Sequence, residues 1–273
     1  MLACFAKSSI GFSHINNKKP CQDYSCLYKD NNRIIISCCD GHGGDVYIRS
    51  NVGSNIASNT VMNVFASLTP AFFTRLKEED IENNIKLSIL CEWNKMIEQH
   101  LSYRPFKKSE FTSLDEEQIE NIKLNPAKAY GTTLTGALLI NNKLVVVAIG
   151  DSEAIIINKG KVEKVFDNED DPAGNVTYSM CQEDAFKYIR VKVINFKDID
   201  GILLCTDGLS NPYQSYDNFN KSFIKPLLYK IIKDEGTNYI DSFIDELAGK
   251  LGFGDDVSLS FIINDSAKIK YYR

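Results

Sequence analysis

A short buried strand that ends in a glycine-rich turn constrains this chain more than any other stretch. Arg33 to Cys39 is mostly apolar and β-branched, which is typical of a buried strand. It continues into Asp40-Gly41-His42-Gly43-Gly44, and a helical pattern follows at Ile48, Val52 and Ile56. Glycine allows sharp turns and close approach of a ligand to the main chain. The pattern favours a rim at which Asp40 and His42 hold a metal ion or a phosphate; the alternative is a plain turn in which Asp40 caps the helix.

Size and charge limit the classes of function. The chain has 273 residues, 44% of them apolar and 25% charged, which is typical of a globular protein with a sizeable core. A net charge of −5 without a basic stripe argues against nucleic acid or an anionic membrane as a general partner. No apolar run is long enough to span a membrane, and the first residues lack the apolar core of a signal peptide. We therefore expect a cytoplasmic protein without a membrane segment.

The eight cysteines fit a reducing compartment. Cys38, Cys39 and Cys205 lie in strand-like runs, where a small buried thiol is usual. The spacing of the cysteines does not match a structural zinc site, and the chain contains only three histidines.

The order of patterns predicts one α+β domain without a linker. Turns at Asn141-Asn142 and Asp151-Ser152 join successive apolar runs, which indicates antiparallel hairpins, and a further strand is expected after Lys159-Gly160. Helical patterns span about 45–68, 81–101, 218–233 and 238–251, and residues 102–128 look like a loop with one short helix.

Four aspartates share one context. Asp23 precedes a strand, Asp40 and Asp207 end buried strands, and Asp255 begins one. If these strands are neighbours, the carboxylates meet at one rim, where they repel each other unless a cation is present. Mg²⁺ or Mn²⁺, which prefer oxygen ligands, would suit such a rim.

Two further aspartates have open interpretations. Asp151, in Gly150-Asp151-Ser152, is as well explained by a hairpin turn as by a site. Asp256 could cap the strand entry just as Asp255 could bind metal.

Together the motifs resemble the metal-dependent serine/threonine phosphatases of type 2C, the PPM family, over nearly the whole chain. The motifs occur in the order found in that family, and Ser13-His14 with Pro20-Cys21-Gln22-Asp23 is similar to a bacterial subgroup. The matching stretches are Pro20-Cys21-Gln22-Asp23, Asp40-Gly41-His42-Gly43-Gly44, Gly131-Thr132-Thr133, Gly150-Asp151-Ser152, Thr206-Asp207-Gly208 and Asp255-Asp256-Val257-Ser258.

The resemblance implies a fold and a domain. The fold would be two stacked antiparallel β-sheets flanked by antiparallel helices, a four-layer sandwich with metals at one edge. Residues 1–273 would form a single catalytic domain, with a flap-like loop at about 167–186. As a hypothesis, the acidic run Glu169-Asp170-Asp171 in that loop disfavours acidic phosphopeptides.

The resemblance also implies a site with two Mn²⁺ or Mg²⁺ ions. Asp40 would bridge the ions, Asp207 and Asp255 would complete one of them, the Gly41 carbonyl would bind the other, and Asp23 would hold a metal-bound water. The reaction would be direct hydrolysis of phosphoserine or phosphothreonine by a metal-activated water.

Two further roles come from the same resemblance. His42 would protonate the departing alkoxide, and Lys18 would bind the substrate phosphate. The implied partners are a phosphorylated protein and a cognate serine/threonine kinase.

Three residues depart from the family pattern. Lys18 stands where arginine is usual, which gives up bidentate phosphate binding. A weaker third ion would use Asp151, but Asn211 replaces its second aspartate. Glu153 stands where many members have arginine.

Two other functions remain open at this stage. One is a binding module on the same fold without turnover, and the other is hydrolysis of a small phosphate ester. The complete set of Asp40, Asp207 and Asp255 argues against the first.

Overall fold

The computed structural model describes residues 2–166, 177–233 and 238–264. The strands in this part of the chain form two five-stranded antiparallel sheets. In chain order, the strands are β1 Leu2–Ser9, β2 Asp23–Lys29, β3 Arg33–Asp40, β4 Leu134–Ile140, β5 Lys143–Ile149, β6 Glu153–Asn158, β7 Lys161–Lys164, β8 Arg190–Asn195, β9 Gly201–Cys205 and β10 Val257–Asn264.

The two sheets are stacked face to face. The first sheet has the strand order β1-β10-β9-β6-β7, and the second has β2-β3-β4-β5-β8. Ile36 and Leu139 of the second sheet belong to one buried cluster with Ile202, Leu204 and Ile262 of the first. Because alternate residues of a strand point to opposite faces, each sheet has a second apolar face to cover.

Helices cover those outer faces. In chain order, the α-helices of the described residues are α1 Phe12–Asn16, α2 Ser50–Ser67, α3 Phe72–Arg75, α4 Glu78–Tyr103, α5 Glu116–Leu124, α6 Ala185–Tyr188, α7 Asp207–Ser210, α8 Tyr216–Phe219, α9 Lys225–Ile232 and α10 Asn238–Ala248. The long helices α2 and α4 lie on the second sheet, with Trp93 buried among them, and α9 and α10 lie on the first. The predicted α+β sandwich of two antiparallel sheets with flanking helices is confirmed.

The hairpin expected at Asn141-Asn142 is confirmed, and so is the strand after Lys159-Gly160, but the hairpin expected at Asp151-Ser152 is wrong because β5 and β6 belong to different sheets. Asn141 and Asn142 both have positive φ, 47° and 60°, and β4 pairs with β5 directly on either side of them. Lys159 and Gly160 join β6 to β7 in the same way, with φ of 48° and 84°. Two central residues with positive φ are the mark of a type I′ turn, whose twist matches that of the strands.

Two helix predictions need correction. The helix expected from residue 45 begins at Ser50, because the backbone N–H of Arg49 bonds to the Ala129 carbonyl and not to that of Asp45. The helix expected over 218–233 is interrupted by a π-helical turn at Asn220–Ile224. Pro226 is the second residue of α9, and it lacks the N–H that a regular α-helical turn would use there.

Other expectations concern the thiols, membrane segments and the flap-like loop. All eight cysteines are free, and Cys38, Cys39 and Cys205 are buried as predicted. Among the described residues, no helix combines the length and apolar character needed to cross a membrane. The acidic run at 169–171 lies outside the described residues.

Candidate active site

A cleft of about 270 Å³ lies at the edge of the sandwich, where strands of both sheets begin or end. Asp23 and Asp40 face each other across the β2–β3 pair of the second sheet. Asp207 follows β9, Asp255 precedes β10, and these two strands are neighbours in the first sheet. The residues that line the cleft are His14, Gln22, Asp23, Asp40, Gly41, His42, Gly43, Asp151, Thr177, Asp207, Asp255 and Asp256.

The aspartates of the cleft disfavour one another's charge. Burial raises the pKa of Asp23 to about 7, and Asp256 and Asp207 add to the effect although Thr206 and Ser258 donate hydrogen bonds to the carboxylate. Burial also raises the pKa of Asp40 well above its usual value, with further contributions from Asp23 and Asp207. The pKa of Asp207 is raised by burial first and by Asp151 next. The raised pKa values mean that these carboxyl groups are costly to ionise together unless a cation is bound among them.

The donor set fits a hard divalent cation. Six aspartates line the cleft and, within the described part of the chain, no lysine or arginine does. No three histidine, cysteine or acidic side chains among the described residues are already gathered into a closed ligand set. Mg²⁺ and Mn²⁺ are commonly held by few carboxylates and several waters, so an open cleft rich in carboxylate oxygens suits them.

Backbone contacts fix the Asp40-Gly41-His42 turn. The Gly41 N–H donates to the Gln22 carbonyl at 3.0 Å, and a Cβ at Gly41 would lie 2.6 Å from the Ser50 carbonyl oxygen. Only glycine fits there. Gly208 is restricted in the same way, because a Cβ at that position would collide with the Asp256 carbonyl oxygen.

His42 has no polar partner for its outer nitrogen. Its backbone N–H donates to Gly131 at 3.0 Å, and its ring packs against Tyr47 with 4.9 Å between centroids. The buried Nε2 has no hydrogen-bond partner in the described structure. Burial lowers the pKa of His42, while the charge of Asp151 acts in the opposite direction. Such an imidazole is free to exchange a proton with a bound molecule.

A buried arginine supports this turn from behind. The Arg49 guanidinium donates to both carboxylate oxygens of Glu110, at 2.7 and 3.0 Å, and to the Tyr130 hydroxyl at 2.8 Å. The Arg49 N–H also bonds to Ala129 at 2.8 Å, so residues 129–131 and the turn are held together. Sequence analysis gave no role to Arg49, because its partners lie far along the chain.

The three residues that depart from the expected pattern have separate positions. Asn211 donates to a carboxylate oxygen of Asp207 at 2.9 Å, and Thr177 donates to Asp151 at 2.6 Å. Glu153 lies outside the lining and forms an ion pair with Lys164 at 2.5 Å. Lys18 is exposed, has a φ of 54°, and is not among the lining residues.

Sequence analysis gave no role in the site to His14 and left Asp256 as a possible cap. The structure places both in the cleft, with His14 Nδ1 2.8 Å from a carboxylate oxygen of Asp256. They are separated by 242 residues, so no local pattern could have paired them. The one signal was the Ser13-His14 motif.

A sequence comparison identifies the family. The family model described as protein phosphatase 2C matches residues 10–243. The chain belongs to the protein phosphatase 2C family. The matched segment includes Asp23, Asp40, Asp151 and Asp207 and ends before Asp255. No curated protein matches the chain.

Solved structures of similar fold are bacterial phosphatases. A bacterial serine phosphatase aligns with a TM-score of 0.60 at 16% identity over 98% of this chain and 100% of that one. The serine/threonine phosphatase Stp1 from Staphylococcus aureus aligns with a TM-score of 0.58 at 17% identity over 96% and 95%. The catalytic domain of the phosphatase PstP, in complex with two manganese ions, aligns with a TM-score of 0.55 at 17% identity over 96% and 97%. These likenesses show the phosphatase fold.

Proposed function

We propose that this protein is a metal-dependent phosphatase that hydrolyses phosphoserine and phosphothreonine in proteins. The observation that carries the proposal is the group of aspartates that two sheets bring to one cleft without a lysine or arginine among the described lining residues. Family membership supports a hydrolase of phosphate esters. The two manganese ions of the PstP structure support a requirement for divalent metal.

The proposed ligands are the aspartates at the strand ends. Asp40 would be shared by two Mn²⁺ or Mg²⁺ ions, Asp207 and Asp255 would hold one, the Gly41 carbonyl would hold the other, and Asp23 would act through a water. Two ions bound there would make a water acidic enough to attack phosphorus and would neutralise the phosphoryl oxygens. A weaker third ion at Asp151 would have to displace the hydrogen bond from Thr177.

The protein's own groups supply orientation and a proton. Asp23 is buried and is held by the Thr206 hydroxyl at 2.7 Å, so it keeps a fixed direction at the floor of the cleft. His42, whose Nε2 has no partner in the described structure, would give its proton to the departing serine or threonine oxygen. The phosphate is then released directly, and no phosphorylated enzyme forms.

The proposed partners follow from the substrate. A phosphorylated protein would dock over the cleft, and a serine/threonine kinase would supply its phosphate in the same compartment. We propose the cytoplasm as that compartment.

Hydrolysis of a phosphothreonine peptide tests the proposal. Purified protein should release phosphate with Mn²⁺ or Mg²⁺ and stop with excess chelator. Asp40→Ala and Asp207→Ala should fall to the chelator background, because each removes a proposed ligand. Asp217→Ala is the matched control, since this exposed aspartate pairs with Lys221 on the surface, away from the cleft lining, and should keep full activity.

The same assay separates the other readings. Folded, metal-loaded protein that releases no phosphate from any ester would favour a binding module. Rapid release from p-nitrophenyl phosphate with none from peptides would favour a small-molecule phosphatase.

A further inference from the structure

The cleft has few side chains that can donate a hydrogen bond to a phosphate. Apart from its aspartates, the described lining has four side chains that can donate a hydrogen bond. They are His14, Gln22, His42 and Thr177. A phosphate ester at this site is dianionic and offers only acceptors on its outer oxygens. A direct side-chain contact to those oxygens must therefore come from this short set or from a side chain reaching in from outside.

Two of these donors are already engaged. The Gln22 amide donates to the His42 carbonyl at 3.1 Å and to the Ser50 hydroxyl at 2.5 Å. The Thr177 hydroxyl donates to Asp151 at 2.6 Å. Either group would have to give up a bond to bind phosphate.

The two histidines differ in access. His42 Nε2 is buried, and the proposed mechanism already assigns its proton to the leaving oxygen. The His14 side chain keeps 16% of its surface exposed, and its Nδ1 lies 2.8 Å from Asp256. A carboxylate accepts hydrogen bonds, so Nδ1 carries a proton, and in the imidazolium form Nε2 carries a second proton that it can donate to a ligand.

Asp256 holds His14 in a fixed direction. The side chain of Asp256 is only 4% exposed, and its two oxygens also accept from the backbone N–H groups of Gly11 and Gln22, both at 2.6 Å. Gly11 precedes α1, which carries His14, and Gln22 precedes Asp23. One buried carboxylate therefore ties the helix of His14 to the strand start that carries Asp23.

We propose that His14 binds a phosphoryl oxygen of the substrate through Nε2–H, and that Asp256 is the positioning residue that aims the imidazole. This inference rests on the proposed function and assigns to His14 the contact that the family resemblance gave to Lys18. His14 would then contact the phosphoryl group, and His42 would give its proton to the leaving group. A charge-assisted hydrogen bond of this kind contributes about ten- to a hundredfold in affinity.

Binding of inorganic phosphate to the Mg²⁺-loaded protein tests the proposal without turnover. The chain has only three histidines, so the ring signals of histidine-labelled protein can be assigned with three single variants. Phosphate should shift the His14 ring nitrogens, and His14→Gln should weaken phosphate binding in calorimetry by about ten- to a hundredfold. Mg²⁺ affinity and the melting temperature of His14→Gln should stay close to the parent values.

Companion variants separate positioning from direct contact. Asp256→Asn should weaken phosphate binding less than His14→Gln, and the double variant should bind phosphate as His14→Gln does, because the proposal has Asp256 affect phosphate through the imidazole. Lys18→Ala tests the competing assignment, with Lys19→Ala as its matched control. Phosphate affinity that falls in Lys18→Ala and is unchanged in His14→Gln would overturn the proposal, as would an unmoved His14 signal at saturating phosphate.

The outcomes also separate this inference from the proposed function. A protein that binds phosphate through His14 but hydrolyses no ester retains the inference and loses the function. Peptide hydrolysis with phosphate affinity and KM unchanged in His14→Gln does the reverse.

Discussion

The two sheets contribute different halves to the cleft, and each half carries one histidine. The second sheet supplies Asp23 and Asp40, and its histidine is His42 on the turn after β3. The first sheet supplies Asp255 at the start of β10, and its histidine is His14 on α1, which follows β1.

The surroundings of the two rings are opposite. His42 is backed by the aromatic ring of Tyr47, and burial lowers its pKa. His14 is backed by the buried carboxylate of Asp256, which fixes the hydrogen on Nδ1. A carboxylate partner sets the direction and tautomer of an imidazole, whereas an apolar wall leaves the ring ready to lose its proton. The difference teaches that two histidines of one cleft can have separate roles, one held in a fixed direction to bind phosphate and the other placed to transfer a proton.

Replacing His42 should give the largest effect. His42→Gln removes the proton donor and should lower kcat by about 10²–10⁴-fold. Phosphate affinity should change little, because His42 is not the proposed phosphate contact. Steady-state kinetics beside phosphate titration would check this, and a variant that lost phosphate affinity while keeping kcat would break the comparison between the two halves.

Replacing Arg49, which supports the turn that carries His42, should have a smaller effect. Arg49→Lys gives up the paired bonds to Glu110 and the bond to Tyr130, and should lower the free energy of unfolding by about 2 kcal/mol. The ring signal of His42 should move while that of His14 stays, since the support lies behind the second sheet's half only. Chemical denaturation and the histidine spectrum would measure both effects, with exposed Arg75→Lys as the control. Equal movement of both signals would show that the halves are mechanically coupled.

The smallest effect should come from removing one repelling charge. The pKa of Asp207 is raised by burial and by Asp151, so its charge opposes folding when no metal is bound. Asp207→Asn should therefore raise the stability of the chelator-treated protein by about 1 kcal/mol. The same variant should lose most of the rise in melting temperature that Mn²⁺ gives the parent. A metal-free variant less stable than the parent would contradict this account.

Local signals were sufficient to predict the strands and the hairpin at Asn141-Asn142, but not that the chain passes from one sheet to the other at Asp151-Ser152. The turns at Asn141 and Lys159 depend on residues that accept positive φ, which a few adjacent residues determine. The pairing of β1 with β10 joins the two ends of the chain, and short-range periodicity carries no information about it. The sandwich was therefore expected from family resemblance and not from the pattern of residues.

The same limit applies to the cleft. Asp40 and Asp207 were recognisable because each follows a buried strand and stands beside glycine. The contact of His14 with Asp256, and the support of the turn by Arg49, depend on residues that approach only after both sheets form. The assignment of Lys18 as the phosphate contact stays a prediction, which the phosphate titration tests.

The close backbone contacts at Gly41 and Gly208 limit how the protein can change in laboratory evolution. At both positions the neighbouring atoms are main-chain carbonyls, so no second mutation of a side chain can make room for a larger residue. Selection for a new phosphate ester should therefore leave this floor untouched. Adaptive substitutions should instead accumulate at the rim, where Thr177 presents a side chain that can be exchanged without moving the backbone.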